Sequence, residues 1–248
     1  MKLRVIDFET TGKDPATCRP LECAAITYDT KTKERSNIFS TLIWTPLYEP
    51  IPADITELTG IDDELIQREG YLSPGGFLGA FTPDVKEVDY YCAYNVMYDM
   101  EVLLNICKKL QTTMPGPAEV FDAMVDLPWP ENMQRCRQLQ HRAFDLGLPM
   151  DGRRRHRALA DVELICEIFD LYDMEAVLEY HKIPWVYYAA QIPAPWKDGG
   201  LGKAAAKEAG FGWEQAAGDT RKFPGKWVLR KKLGAELPEY SFSVEELK

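Results

Sequence analysis

An aspartate and a glutamate sit two residues apart in the stretch VIDFETTG, residues 5–12. On a strand, residues i and i+2 point to the same face. Asp7 and Glu9 therefore present two carboxylates together. Two like charges that close repel and raise each other's pKa unless a cation lies between them. Alone, the pair also suits a strand end that enters solvent. Two further segments shift the balance. AYNVMYD places Asn95 and Asp99 four apart at the start of a helical pattern, following a strand. RRRHRALAD places His156 five residues before Asp161, which falls inside the next strong helix. Taken singly, Asp99 suits an exposed helical position and His156 a surface loop. Four acids and one histidine on a strand and two helices point instead to a shared site.

These three segments resemble, in order, the three motifs of the DnaQ-like 3′→5′ exonucleases, in the DEDDh subgroup whose third motif is His-x-x-x-x-Asp. The first is Asp7-Phe8-Glu9-Thr10-Thr11-Gly12, the second runs from Asn95 to Asp99, and the third from His156 to Asp161. IPADITELTGIDDELI also resembles the family's segment between its first two motifs. The exonuclease X-like branch is the nearest by length and order, and the likeness covers about residues 3–172. Tyr94 stands where many relatives carry His, a position that is not a catalytic ligand in the family.

The resemblance implies an RNase H-like α/β domain, a mixed β-sheet flanked by helices. It also implies two divalent metal ions, Mg²⁺ or Mn²⁺, which prefer carboxylate oxygens; the four acids, with no paired Cys or His, suit that preference. Two ions about 3.5–4 Å apart prepare an attacking water and stabilise a leaving 3′-oxygen. By the family's pattern Asp7 bridges both ions, Glu9 and Asp161 hold the ion that bears the nucleophile, and Asp99 serves the second, directly or through water. His156 is the general base; an imidazole titrates near pH ~6.5, which suits that work. Thr10 and Thr11 are expected at the terminal nucleotide's sugar, with Asn95 also on the substrate side. Arg153, Arg154, Arg155 and Arg157 surround His156 and suit phosphate neutralisation, each contact adding salt sensitivity.

The elements that must position these groups are legible in outline. Leu3–Phe8 reads as a buried strand, with two more over Glu22–Tyr28 and Ser36–Trp44 joined by a turn at DTKTKER. Short helices follow, with Asp54 and Asp62 as N-cap candidates. A strand over 88–94 leads into a helix from Asn95, with Val96, Met100, Leu103, Leu104 and Cys107 on one face. PGP at 115–117 ends that region. Residues 119–150 read as a short strand and then helix. Arg142 is expected on a solvated helical face, as are Arg135 and Arg137. A long amphipathic helix begins at Arg157, with Val162, Ile165 and Phe169 facing a core.

Composition then shifts. The exonuclease-like domain is expected over 1–180. A Pro- and aromatic-rich surface connector follows over 181–200, then a small basic α+β module over 201–232 and a mobile tail over 233–248. Within the module a short helix near 201–209, a glycine stop at Gly210 and a strand over 226–231 are expected. Residues 197–232 carry nine Lys/Arg against four Asp/Glu in a chain of net charge −10. That basic surface suits nucleic acid, while Trp213 and Trp227 suit the core of so small a module.

The acidic balance excludes a protein held to nucleic acid by bulk charge alone. Six cysteines without zinc spacing suit free thiols,. No apolar run approaches a membrane span, and no export signal is apparent, so a cytoplasmic protein of bacterial or phage type is expected. The expected function is metal-dependent removal of nucleotides from DNA 3′ ends, releasing nucleoside 5′-monophosphates, in DNA repair or a related process. RNA trimming is the alternative among enzymes. A homodimer, or a proofreading or binding subunit that docks a polymerase, is the alternative of another class.

Overall fold

The computed structural model describes residues 1–44, 50–130, 133, 138–149, 156–192, 201–214 and 226–247. They divide into two compact units, Met1–Leu178 and Glu179–Lys248.

The first unit is built on a five-stranded mixed sheet. Strand β1 (Lys2–Thr10) pairs antiparallel with β2 (Pro20–Asp29), which pairs antiparallel with β3 (Arg35–Leu42). On its other side β1 runs parallel to β4 (Tyr90–Ala93), and β4 parallel to β5 (Val120–Asp122). The order is thus β3-β2-β1-β4-β5, and the mixed sheet flanked by helices is the RNase H-like exonuclease fold expected from the sequence. Helix α1 (Ala53–Thr59), α2 (Asp63–Glu69) and α3 (Pro74–Phe81) connect β3 to β4. Helix α4 (Val96–Lys109) joins β4 to β5, followed by the short α5 (Ala123–Asp126) and α6 (Leu139–Asp145). Helix α7 (Ala158–Asp170) returns across the sheet, and α8 (Met174–Lys182) follows, its residues from Glu179 onward belonging to the second unit.

The pleat of β1 explains why it holds both core and chemistry. Leu3 and Val5 point to one face, where they pack with Ala24 and Ile26 against Val162, Ile165 and Phe169 of α7. Ile6 and Phe8 point to the other, against Phe77 and Phe81 of α3 and Val96, Leu103 and Cys107 of α4. Period-2 alternation continues the Leu3–Val5 row into Asp7 and Glu9, so the carboxylates emerge on the α7 face where the apolar row ends.

Three local expectations change. Asp62 does cap α2, accepting from the Leu65 N–H at 2.6 Å, but Asp54 lies inside the first turn of α1, whose N-cap position is Pro52. Leu104 is 37% exposed; Val102 and Ile106 are buried instead, because the stripe that α4 buries in a single apolar cluster is wider than one row. Arg142 is buried, not solvated. Its guanidinium lies 4.3 Å from the Trp129 ring centroid and donates to the Met124 carbonyl at 2.9 Å, so planar stacking and a hydrogen bond compensate its desolvation. Arg135 and Arg137 lie outside the described residues.

The second unit is a four-stranded antiparallel sheet in the order β7-β8-β6-β9. Its strands are β6 (Trp185–Gln191), β7 (Gly212–Glu214), β8 (Lys226–Lys232) and β9 (Ser243–Leu247). Helix α9 (Leu201–Glu208) is followed by Gly210 at φ 84°, the positive angle that glycine adopts at helix ends. Ala206, Phe211 and Trp227 form the buried centre, packed by Tyr188, Leu229, Tyr240, Phe242 and Val244. Two expectations give way here. Residues 185–191 of the supposed connector are a central strand paired on both sides. Residues 243–247 of the supposed tail are a strand paired with β6. The aromatic and β-branched content of Trp185–Gln191 serves a sheet,, although prolines and glycines nearby suggest a loop.

Candidate active site

Asp7 and Glu9 on β1 and Asp161 on α7 each offer a carboxylate oxygen, and the three oxygens lie within 4.8 Å of one another. Strand and helix meet there because α7 is pinned over the sheet by the apolar rows below. Asp161 sits one turn into the helix, its N–H bonded to the Arg157 carbonyl at 3.1 Å.

Asp99 approaches from the other layer. The pairing of β4 with β1 runs from Leu3 to Val5. Beyond it, the Phe8 N–H meets the Asp99 Oδ1 at 3.0 Å. Asp99 is buried, and it takes the place of a neighbouring strand for a backbone donor that lies between Asp7 and Glu9. Asn95, in the left-handed region at φ 76°, turns the chain from β4 into α4. Its N–H donates to Asp122 Oδ1 at 3.2 Å, and its side chain is exposed.

The electrostatics of this group are those of crowded anions. Burial, then Asp99, Asp161, Glu9 and Glu22, push the Asp7 carboxyl well above its usual range. Burial, Asp161 and Glu22 push Glu9 up to about 7, against the opposing influence of Arg157. Asp161 is pushed up to about 6 by burial, although the hydrogen bond from Gln140 Nε2 to its Oδ1, 2.9 Å long, acts the other way. Asp99 is raised by burial, although the Phe8 N–H again opposes. Ionising these groups together is unfavourable without a counter-cation. The oxygens are hard donors, and the cluster of Asp7, Glu9 and Asp161 contains no sulfur or imidazole. The chemistry of the donor set thus fits a hard divalent cation.

The loop after β1 is tied down from within. Thr10 Oγ1 donates to the Gly12 carbonyl at 2.8 Å and meets the Tyr98 hydroxyl at 2.5 Å. Tyr98 also donates to the Gly12 carbonyl at 2.7 Å. Thr11 Oγ1 accepts from the Arg19 N–H at 2.9 Å. Both threonine hydroxyls are thus engaged in shaping the turn beside Glu9.

His156 is half-buried and sits immediately before the Arg157 N-cap of α7 with φ 56°. Arg157 is held by Glu22 through three N–H···O contacts of 2.7 to 3.2 Å. Arg153, Arg154 and Arg155 lie outside the described residues.

The sequence reading missed Glu22, Gln140 and Tyr98. Glu22 sits on β2 directly across from Glu9 in the antiparallel register. An acid inside the otherwise apolar run PLECAAITY was the available signal, since a buried strand carries a carboxylate only where something pairs with it. Nothing in the local pattern marks Gln140 or Tyr98.

The fold resembles that of known nucleases. It aligns with Escherichia coli exonuclease I in a zinc-bound complex with single-stranded DNA, with a TM-score of 0.61 and 16% identity over 93% of this chain and 62% of that one. It aligns with the same enzyme in complex with a dA16 oligonucleotide at a TM-score of 0.58 and 16% identity, covering 93% and 63%. The nuclease domain of 3′hExo, a DEDDh family member bound to rAMP, aligns at 0.54 with 19% identity, covering 73% and 92%. At such identities the likeness is one of fold, and the chain spans about three-fifths of the length of these exonuclease I chains. No curated protein sequence matches the chain. Among the described residues, no helix is long and apolar enough to cross a membrane. The exonuclease family model, by contrast, matches residues 5–169, a span that contains all four acids and His156; the chain belongs to the DnaQ-like exonuclease family.

Proposed function

We propose that the protein removes nucleotides one at a time from the 3′ ends of DNA, releasing nucleoside 5′-monophosphates. The observation that carries this reading is the convergence of Asp7, Glu9 and Asp161 oxygens within 4.8 Å, with Asp99 buried against the backbone between the first two. Asp7, Glu9 and Asp161 would hold divalent cations, Mg²⁺ or Mn²⁺, and Asp99 would serve a second ion. Such cations, when bound, offset negative charge on the phosphoryl oxygens and acidify water.

The chain's own residues do the rest. The carboxylates are brought together by the fold before substrate arrives, so little reorganisation remains for the reaction. His156, on the loop at the head of α7, takes the proton from the attacking water at an imidazole nitrogen. The turn at Thr10–Gly12, shaped by its own hydroxyls and by Tyr98, offers a rigid surface to the terminal sugar. With Arg157 engaged by Glu22, phosphate neutralisation beside His156 falls to Arg153, Arg154 and Arg155. Exposed Lys203, Lys207, Lys226 and Arg230 of the second unit add local attraction for a polyanion in a chain that is acidic as a whole.

Single-stranded DNA is favoured by the fold likeness to exonuclease I bound to such strands. RNA is the second reading, favoured by the likeness to 3′hExo bound to rAMP. The test is product analysis on matched 5′-labelled DNA and RNA oligonucleotides, with Mg²⁺ and with EDTA, using wild type and Asp161→Ala. A ladder shortening from the 3′ end, abolished by EDTA and by the substitution, is expected, with DNA the faster substrate. Faster RNA shortening would reverse the sugar preference. Binding without shortening of either strand would overturn the enzymatic reading.

A further inference from the structure

Helix α7 lacks a cap of its own. Its N-cap residue is Arg157, whose side chain has no acceptor,. The first N–H groups of a helix need partners, and one comes from another element. Glu22 Oε2 accepts from the Ala158 N–H at 3.1 Å. The same carboxylate accepts from Arg157 Nε at 3.0 and 3.2 Å and from its terminal nitrogen at 2.7 Å. Glu22 is 2% exposed, and 135 residues separate it from Arg157 in sequence.

This clamp is placed where it bears on the site. Glu22 lies across from Glu9 in the β1–β2 register. It therefore fixes the head of α7 against the strand pair that carries the acids. The residue on the far side of Arg157 is His156, whose backbone sits at φ 56°. A non-glycine residue is uncommon there and needs surroundings that hold it. A negative group beside an acid cluster is otherwise unfavourable: Glu22 raises the neighbouring carboxyls. A pair with Arg157 offsets that cost while locking a fork geometry that a lysine would not reproduce.

We propose that Glu22, acting through Arg157 and the Ala158 N–H, is a positioning residue that sets where His156 stands relative to the carboxylates. The proposal rests on the reading of His156 as the general base. Its test is a double-mutant cycle on the full chain, comparing wild type, Glu22→Gln, His156→Ala and the double variant. Rates are measured on a 5′-labelled oligonucleotide in saturating Mg²⁺ or Mn²⁺, with thermal melting to confirm folding. Glu22→Gln should lower kcat at least ~10-fold with KM changed less than ~3-fold, and should cost less than ~2-fold once His156 is already alanine, the non-additivity expected of residues that act as a unit. The same fold-loss in both backgrounds would overturn the proposal and leave Glu22 a support of the fold. So would a kcat for Glu22→Gln within ~2-fold of wild type, on the same scale of additivity. Near-normal turnover of His156→Ala would instead remove the general base, and with it the step that Glu22 serves; that result differs from additivity in a cycle where His156→Ala is slow. Should Glu22→Gln fail to fold, Arg157→Lys takes its place in the cycle, read by the same two criteria.

Discussion

Lys232 in the second sheet and Asp7 in the first are both charged groups taken largely out of water, yet their surroundings differ in kind. Lys232 donates to the carbonyls of His181 and Ile183, each at 2.9 Å. Its ammonium also lies 4.1 Å from the Trp185 ring centroid and 5.4 Å from that of Tyr180. Carbonyl dipoles and ring faces complement a cation, so the charge is compensated by the protein itself. Asp7 instead meets Glu9, Asp99, Asp161 and Glu22, all of its own sign. Arg157, the cation that acts on Glu9, is committed to Glu22 by its hydrogen bonds. The second unit balances its buried charge with its own atoms. The first leaves a deficit of positive charge, and a deficit held in place by a rigid fold is what a cation site requires.

Removing the charges on which the deficit depends should have the largest effect. Asp7→Asn is expected to lower turnover at least ~1,000-fold, the scale of several kcal/mol that cation chemistry contributes, while leaving the melting temperature of the metal-free protein unchanged or higher. Steady-state rates and melting curves on one preparation check both halves. Retention of more than a tenth of the activity would break the comparison.

His156→Ala should cost at least ~100-fold in turnover, the low end for a general base. It should leave divalent-cation binding, followed by calorimetry, close to that of wild type. A large loss of cation affinity would move His156 from proton transfer to the cation site itself.

The pH dependence of stability sharpens the contrast. Asp161 is raised from 3.8 to about 6 in the folded chain, and Glu9 from 4.5 to about 7. A carboxyl raised on folding stabilises most when pH lies below its unfolded value, and that contribution is lost as pH rises through the folded one. The metal-free protein should therefore lose stability between about pH 4 and pH 7, in the window set by these two groups. Asp161→Asn should recover about 3 kcal/mol of it at pH 8 and almost none at pH 4. Added Mg²⁺ should stabilise wild type more at pH 8 than at pH 5. Urea titrations at the three pH values, with and without the ion, measure this; a metal-free wild type that gains stability from pH 4 to pH 8 would refute it.

The smallest effect belongs to the second sheet. Lys232→Met removes a donor from two carbonyls and should cost about 1 kcal/mol. The loss should be the same at pH 5 and pH 8 and indifferent to Mg²⁺. A cation-dependent loss would show that this sheet also takes part in ion binding.

Much of this contrast is legible in the order of residues alone. Asp7 and Glu9 share a face because a strand repeats every two residues, and Asp161 lies on the amphipathic helix that its periodicity announces. The segment over 181–200 misleads because Trp185–Gln191 is surrounded by prolines and glycines; only pairing with β8 and β9 makes it a strand. Arg142 misleads because charge usually marks a solvated face, and only the placement of Trp129 against it shows otherwise.

Sequence alone determined the inventory: which residues are acids, how they are spaced, and which local element each occupies. Those follow from backbone periodicity, a property of neighbours along the chain. The tertiary structure decided the encounters. It set Glu22 opposite Glu9 and clamped it to Arg157, gave Asp99 the Phe8 N–H, and closed the second sheet with β9. Each depends on how distant segments bury one another's apolar faces and satisfy one another's polar groups. No local spacing encodes that, because the partners are chosen by packing across the whole domain.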